Sequence, residues 1–207
     1  MPFADTRVSP NPDDFASGES TIGETTIAER YVIALSSIAS VSAPFDSIHF
    51  RHVLGHVPTS VVVVTGCSAQ GIPAGVTIGS FTSVSLEPPM VGFFQGVTSR
   101  SWPLIKQSGT FCVNVLADSQ EELCWRFAKE QVEGDSNRFD DIEYTLSPSG
   151  SPVLPGVVAW IDCSIESVTP AGDHWFVLAK VNDLHTTESK ESALVFFKGK
   201  VSGVAPH

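Results

Sequence analysis

Two periodicities divide the chain. Ile27, Tyr31, Leu35 and Ile38 recur at the spacing of an amphipathic helix, and Phe45–His56 reads as a second helix, opened by Asp46 or Ser47 and closed near Gly55 and Pro58. From Ser60 the pattern becomes that of strands. "SVVVVTGCS" predicts a buried strand, because four successive valines are poor helix material and a glycine follows. "GIPAG" marks a turn, "VTIGSFTSVS" a second strand, and "PPMVGFFQG", opened by Pro88-Pro89, a third. "GTFCVNVLA" predicts a fourth, "VAWIDCSIESVTP" and "HWFVLAKVNDLH" a hairpin across "AGD", and "SALVFFKGKV" the last. Two short helices interrupt them. "SRSWPLIKQSG" offers Ser101 as N-cap, Pro103 in the first turn and Gly109 past the end. "DSQEELCWRFAKE" spaces Ser119 and Glu122 as a capping box. Seven strands with few, short helices predict a mainly β, antiparallel barrel rather than βαβ units. Residues 1–26, rich in Ser, Thr, Pro, Gly and Asp, read as a flexible tail, 27–44 as a helical extension and 45–207 as the folded domain.

One segment breaks the rule that barrel strands carry bulk. "AGVTIGSFTSVSLEPPM", Ala74–Met90, holds five hydroxyls (Thr77, Ser80, Thr82, Ser83, Ser85) and two glycines. Alternation presents such hydroxyls to both faces of a sheet, and Gly75 and Gly79 would admit a ligand close to the backbone. The segment reads either as a bed for a planar, hydrogen-bonding ring or as an ordinary solvent-facing strand. Further on, Ser99, Arg100 and Ser101 converge where a helix begins, which suits a phosphate as well as a plain N-cap beside a surface arginine. "GDHWF" places His174 in a tight turn, as a structural residue or a ligand contact.

Composition narrows the chemistry. The net charge of −11 over 207 residues disfavours nucleic acid and anionic membranes as partners. The charge is uneven: residues 51–117 hold Arg51, Arg100 and Lys106 against the single acid Glu87, which favours a small anion there. Tyr31–Ala43 is too short and too serine-rich to span a bilayer, and the start lacks the basic and apolar runs of a signal peptide. Four widely spaced cysteines suggest free thiols, and the expectation is a cytoplasmic protein. His49, His52 and His56 share a helical region, but no acidic or thiol ligand accompanies them at metal-site spacing, so no metal is expected. No dinucleotide-fold glycine fingerprint, P-loop, zincin or hydrolase elbow occurs.

The run "LGHVPTSVVVVTG…GIPAGVTIGSFTSVSLEPPMVGFF…SRSWPLIKQSGTFCVNVLADSQEELCWRFA", then "SPVLPG" and "GDHWFVLAKV", resembles the flavin reductase family with its flavin-binding split barrel, over about residues 45–200. "SLEPP…SRSW…SGTFCVNVL" is similar to the reductase components of aromatic and steroid-ring hydroxylases. The resemblance implies an antiparallel split β-barrel with a few short flanking helices, pairing as a homodimer. It implies reduction of free FMN or FAD by NADH or NADPH, the reduced flavin diffusing to a partner monooxygenase. It also implies roles by position. Thr77, Ile78, Gly79 and Ser80 would line the flavin ring, continued by Ser83, Val84 and Ser85. Ser99, Arg100 and Ser101 would hold the phosphate, and Phe127 and Ala128 would lie near the ribityl or adenylate side. His174 would position the nicotinamide. Three departures stand out: Ser60 where the family usually has Gly, Gly79 where a second Ser is common, and Val201 at a usual tyrosine. The rival expectations are a non-enzymatic flavin or haem carrier on the same barrel, an oxidase of pyridoxamine-phosphate type, and a scaffold module.

Overall fold

The computed structural model describes residues 44–129, 137–187 and 191–204. The predicted tail and the Ile27–Ile38 helix lie outside the described residues. The first described helix, α1 (Ser47–Leu54), opens as expected: Asp46 is its N-cap, the carboxylate accepting from the His49 N–H at 2.7 Å. It has no buried residue.

Twelve strands follow in order: β1 (Thr59–Ser60), β2 (Val62–Cys67), β3 (Pro73–Ile78), β4 (Thr82–Ser85), β5 (Met90–Gly96), β6 (Thr110–Val115), β7 (Thr145–Leu146), β8 (Pro152–Val153), β9 (Ala159–Ala171), β10 (His174–Thr186), β11 (Leu194–Phe197) and β12 (Lys200–Gly203). Helix α2 (Ser101–Lys106) lies between β5 and β6, and α3 (Glu121–Ala128) follows β6. Seven strands form one antiparallel sheet in the order β3-β2-β6-β9-β10-β5-β4, and β1, β11 and β12 form a second. The mainly β, antiparallel expectation holds.

The valine run explains itself once both faces of β2 are seen. Val62 and Val64 point into a cluster with Phe93, Phe111, Trp102 and Val177, while Val61 and Val63 join Leu116, Phe127, Leu154 and Leu194 on the other side. A strand covered on both faces needs bulk at every position. Phe93 anchors the first cluster, its ring edge-to-face with Trp102 and Phe111 at 5.7 and 5.5 Å.

The structure corrects three expectations. The stretch predicted as one strand, "VTIGSFTSVS", is two. Ile78 still pairs with Val62, but Thr82 pairs with Gly92, so the chain passes from one edge of the seven-stranded sheet to the other within Gly79–Phe81. Ser80 fastens that crossing: its hydroxyl accepts from the Phe94 N–H at 2.9 Å and donates to the Phe94 carbonyl at 3.1 Å. "SALVFFKGKV" is a hairpin, β11–β12, turning through Lys198 (φ 50°) and Gly199 (φ 79°). The predicted caps also differ. Ser99, not Ser101, serves α2, its hydroxyl accepting from the Trp102 N–H at 3.2 Å. Ser119 lies in a 3-10 turn, Asp118–Gln120, ahead of α3 and donates to Glu191, while Gln120 reaches back to the Ala117 N–H at 3.0 Å. Local spacing offered each serine as a cap, but the tertiary partner took it.

Candidate functional site

Two cavities share the wall Gln95–Gly96. The larger, about 740 Å³, is lined by Thr77, Ile78, Gly79 and Ser80 on one side, Phe94, Gln95, Gly96 and His174 on another, with Phe50, Arg51 and Leu54 of α1 above. The smaller, about 160 Å³, is lined by Val76, Thr98, Ser99, Arg100, Ser101, Phe127, Ala128, Lys129 and Arg138 besides the shared pair. Ten of the thirteen residues singled out from sequence therefore line one or other of these two adjoining cavities. Ser83, Val84 and Ser85 do not: they lie on the edge strand β4, outside the lining of both cavities.

The hydroxyls of the larger cavity are already engaged. Thr77 donates to the Cys124 carbonyl at 2.7 Å, tying β3 to α3, and Ser80 is held by Phe94. Their contribution to a ring is small volume, spare lone pairs and a close backbone. Gly79 itself packs against β1, where an added Cβ would meet Thr59 Oγ1 at 3.3 Å. Val201, at the usual tyrosine position, packs against the second core cluster.

His174 is oriented by its neighbour. Its Nδ1 lies 2.6 Å from the Asp173 carboxylate. The hydrogen bond from His174, then its charge, and more weakly the nearby Arg51, hold the Asp173 carboxyl below the usual carboxylate range. Nε2 then faces Gly96, where an added Cβ would lie 3.9 Å away. The turn is tied to the next one, since the Val97 N–H donates to the Asp173 carbonyl at 3.1 Å and the Ser99 N–H to the Gly96 carbonyl at 3.2 Å. The placement of His174 and of the Ser99–Arg100 corner is thus mechanically shared.

The smaller cavity owes less to a helix terminus than the sequence suggested. Helix α2 has six residues, and the Ser99 hydroxyl already takes the Trp102 N–H, so side-chain cations outweigh the helix dipole there. Two of these cations, Lys129 and Arg138, come from the acidic stretch after β6. Arg138 donates to the Gly75 and Phe127 carbonyls at 3.2 Å each and to the Ser101 hydroxyl at 3.4 Å, which sets its guanidinium beside the Arg100 corner. Sequence reasoning missed it because segment-wise charge counting averaged it away. It also missed Gln95, only 5% exposed, whose side-chain oxygen is buried with no hydrogen-bond partner among the described residues. A lone amide in the apolar run "MVGFFQG" was the available signal.

This arrangement fits a flavin. The bed is small and close to the backbone, an unpartnered amide oxygen stands at the junction, space is left before His174 where a side chain at Gly96 would intrude, and guanidinium and hydroxyl groups gather at one end.

Comparison with known proteins agrees. The family described as flavin reductase like domain matches residues 54–205. A flavin reductase of Pseudomonas putida is 47% identical over 165 residues, 80% of this chain and 94% of that protein. The reductase subunit HsaB of a flavin-dependent monooxygenase from Rhodococcus jostii is 43% identical over 168 residues, 81% and 83% of the two chains. Among solved structures, the NADH:FAD oxidoreductase SgcE6 of Streptomyces globisporus, in complex with NAD and FAD fragments, superimposes with a TM-score of 0.71 at 33% identity, covering 81% of this chain and 98% of that one. The chain belongs to the flavin reductase family.

Proposed function

We infer that this protein is an NAD(P)H:flavin oxidoreductase, the reductase component that supplies reduced FMN or FAD to a separate monooxygenase. The observation that carries the reading is the pair of adjoining cavities, one lined by His174 and Gly79–Ser80 and the other by Arg100, with Gln95 and Gly96 lining both. Bound together, flavin and nicotinamide nucleotide supply the hydride chemistry. The protein's part is placement. Thr77, Ile78, Gly79 and Ser80 form the bed for the ring, Gln95 offers its amide at the junction, and Ser99, Arg100 and Ser101 receive the phosphate with Arg138 behind them. Phe127 and Ala128 wall the tail side, and His174, steered by Asp173, aligns the nicotinamide.

The protein works as a homodimer in the cytoplasm, without membrane or nucleic-acid partners. Supporting the dimer, Phe45, Ile48, Phe50, Val53 and Leu54 in and beside α1 are all exposed, an apolar face of the kind a second subunit covers. Supporting the compartment, Cys67, Cys112, Cys124 and Cys163 are free thiols. Among the described residues, no helix is long and apolar enough to cross a membrane.

Incubation with NADH or NADPH and each of FMN, FAD and riboflavin, followed at the nicotinamide absorption band, tests the activity. Flavin-dependent loss of the band is expected; a bound chromophore without nicotinamide oxidation would instead indicate a carrier.

A further inference from the structure

Beside the larger cavity lies a third, about 410 Å³, lined by Arg51, His52, Gly55, His56, Lys198 and Gly199. Arg51, Gly55 and Gly199 line both, so the two cavities adjoin. Among the described residues no carboxylate lines the third one, in a chain whose net charge is −11.

Its basic side chains come from two elements. Arg51, His52 and His56 belong to the end of α1 and the turn after it, where cations offset the helix dipole. His56 is held locally, its Nδ1 2.9 Å from the His52 carbonyl. Lys198 arrives on the β11–β12 turn, its N–H donating to the Gly55 carbonyl at 2.8 Å and its Nζ 5.2 Å from the centre of the Phe197 ring. Beside it Gly199 leaves open space, with nothing within 4 Å of an added Cβ. Arg51 stands at the boundary, near enough to Asp173 for its charge to act there.

We propose that this cavity binds the diphosphate of the nicotinamide dinucleotide, with Arg51 and Lys198 as its cationic contacts and His52 as a further hydrogen-bonding one. The proposal rests on the reading that His174 aligns the nicotinamide: a dinucleotide with one end at His174 passes Arg51 and carries its diphosphate into the basic cavity. The FAD diphosphate has the same chemistry, and the test separates the two.

The variants are Lys198→Gln and His52→Gln, both in exposed positions that line the basic cavity and not the flavin space. Calorimetry with ADP-ribose, which lacks the nicotinamide, reads the cavity directly and needs no turnover. Its affinity is expected to fall about tenfold in Lys198→Gln and about threefold in His52→Gln, and to weaken with added salt. In steady state the KM for NADH rises by similar factors, while that for reduced nicotinamide mononucleotide stays within about twofold. ADP-ribose that fails to bind, or binds wild type and variants alike, overturns the assignment whether or not flavin is reduced. Weaker FAD binding with unchanged FMN and ADP-ribose binding assigns the cavity to FAD and overturns it as well. Failure of wild type to oxidise NADH, with ADP-ribose binding intact and sensitive to Lys198→Gln, defeats the functional reading and leaves the diphosphate site standing.

Discussion

The larger cavity is walled mainly by strands and the smaller by turns and helix ends, and their chemistry differs accordingly. Thr77 and Ile78 are held by pairing to β2 and Phe94–Gly96 by pairing to β10, with the small residues Gly79 and Ser80 on the crossing between β3 and β4. Around Ser99–Ser101, Lys129 and Arg138 the groups are long, cationic and drawn from separate parts of the chain. A rigid planar ligand suits the first environment, and a charged, jointed tail suits the second. Strands fix shape because every residue is restrained from both sides, whereas turns gather charge because their side chains reach into solvent-rich space. The comparison teaches that shape selection and charge selection can be altered separately.

The largest expected effect is on the wall between α3 and β3. A Cβ at Gly75 would lie 2.7 Å from Phe127 Cε1 and 2.8 Å from its Cδ1, with the Phe127 ring fully buried. Gly75→Val is expected to cost about 1–3 kcal/mol in denaturant unfolding. An unchanged midpoint would show that this wall yields. Arg100→Ala comes next: flavin dissociation constants should rise about ten- to a hundredfold, read by fluorescence quenching, with binding affected more than the melting temperature. Arg138→Ala should move both readings, because it also strips donors from the Gly75 and Phe127 carbonyls. If the two arginine variants behave alike, structure and binding are not divided as described. His174→Ala should raise the nicotinamide KM several-fold and leave FMN affinity unchanged, since the imidazole faces Gly96 and not the Arg100 corner. The smallest effect concerns thiols. Burial first, then the field of Asp162, pushes Cys112 up to about 12, and burial likewise raises Cys163 and Cys124, so a disulfide reagent near neutral pH should modify the part-exposed Cys67 first and the others only on unfolding.

What could be read from the chain followed the range of the interactions involved. The valine strand, the β9–β10 hairpin and the Asp46 cap depend on neighbours in sequence, and each appears where the pattern puts it. The crossing at Gly79–Phe81 depends on Phe94, and the α2 cap on a competition between Ser99 and Ser101 that Arg138 helps decide by claiming the Ser101 hydroxyl. Neither has a local signature. The residues around the ring bed were legible because a run of small hydroxyl side chains is unusual in a barrel strand. Gln95 and Arg138 were not, since one looked like an interruption of an apolar run and the other like part of an acidic one.

The Ser80 hydroxyl ties the crossing between β3 and β4 to Phe94 of β5, beside the larger cavity. Ser80 lines the larger cavity, so what fills that cavity lies against the clasp, and removing the hydroxyl with Ser80→Ala should speed amide exchange at Phe94.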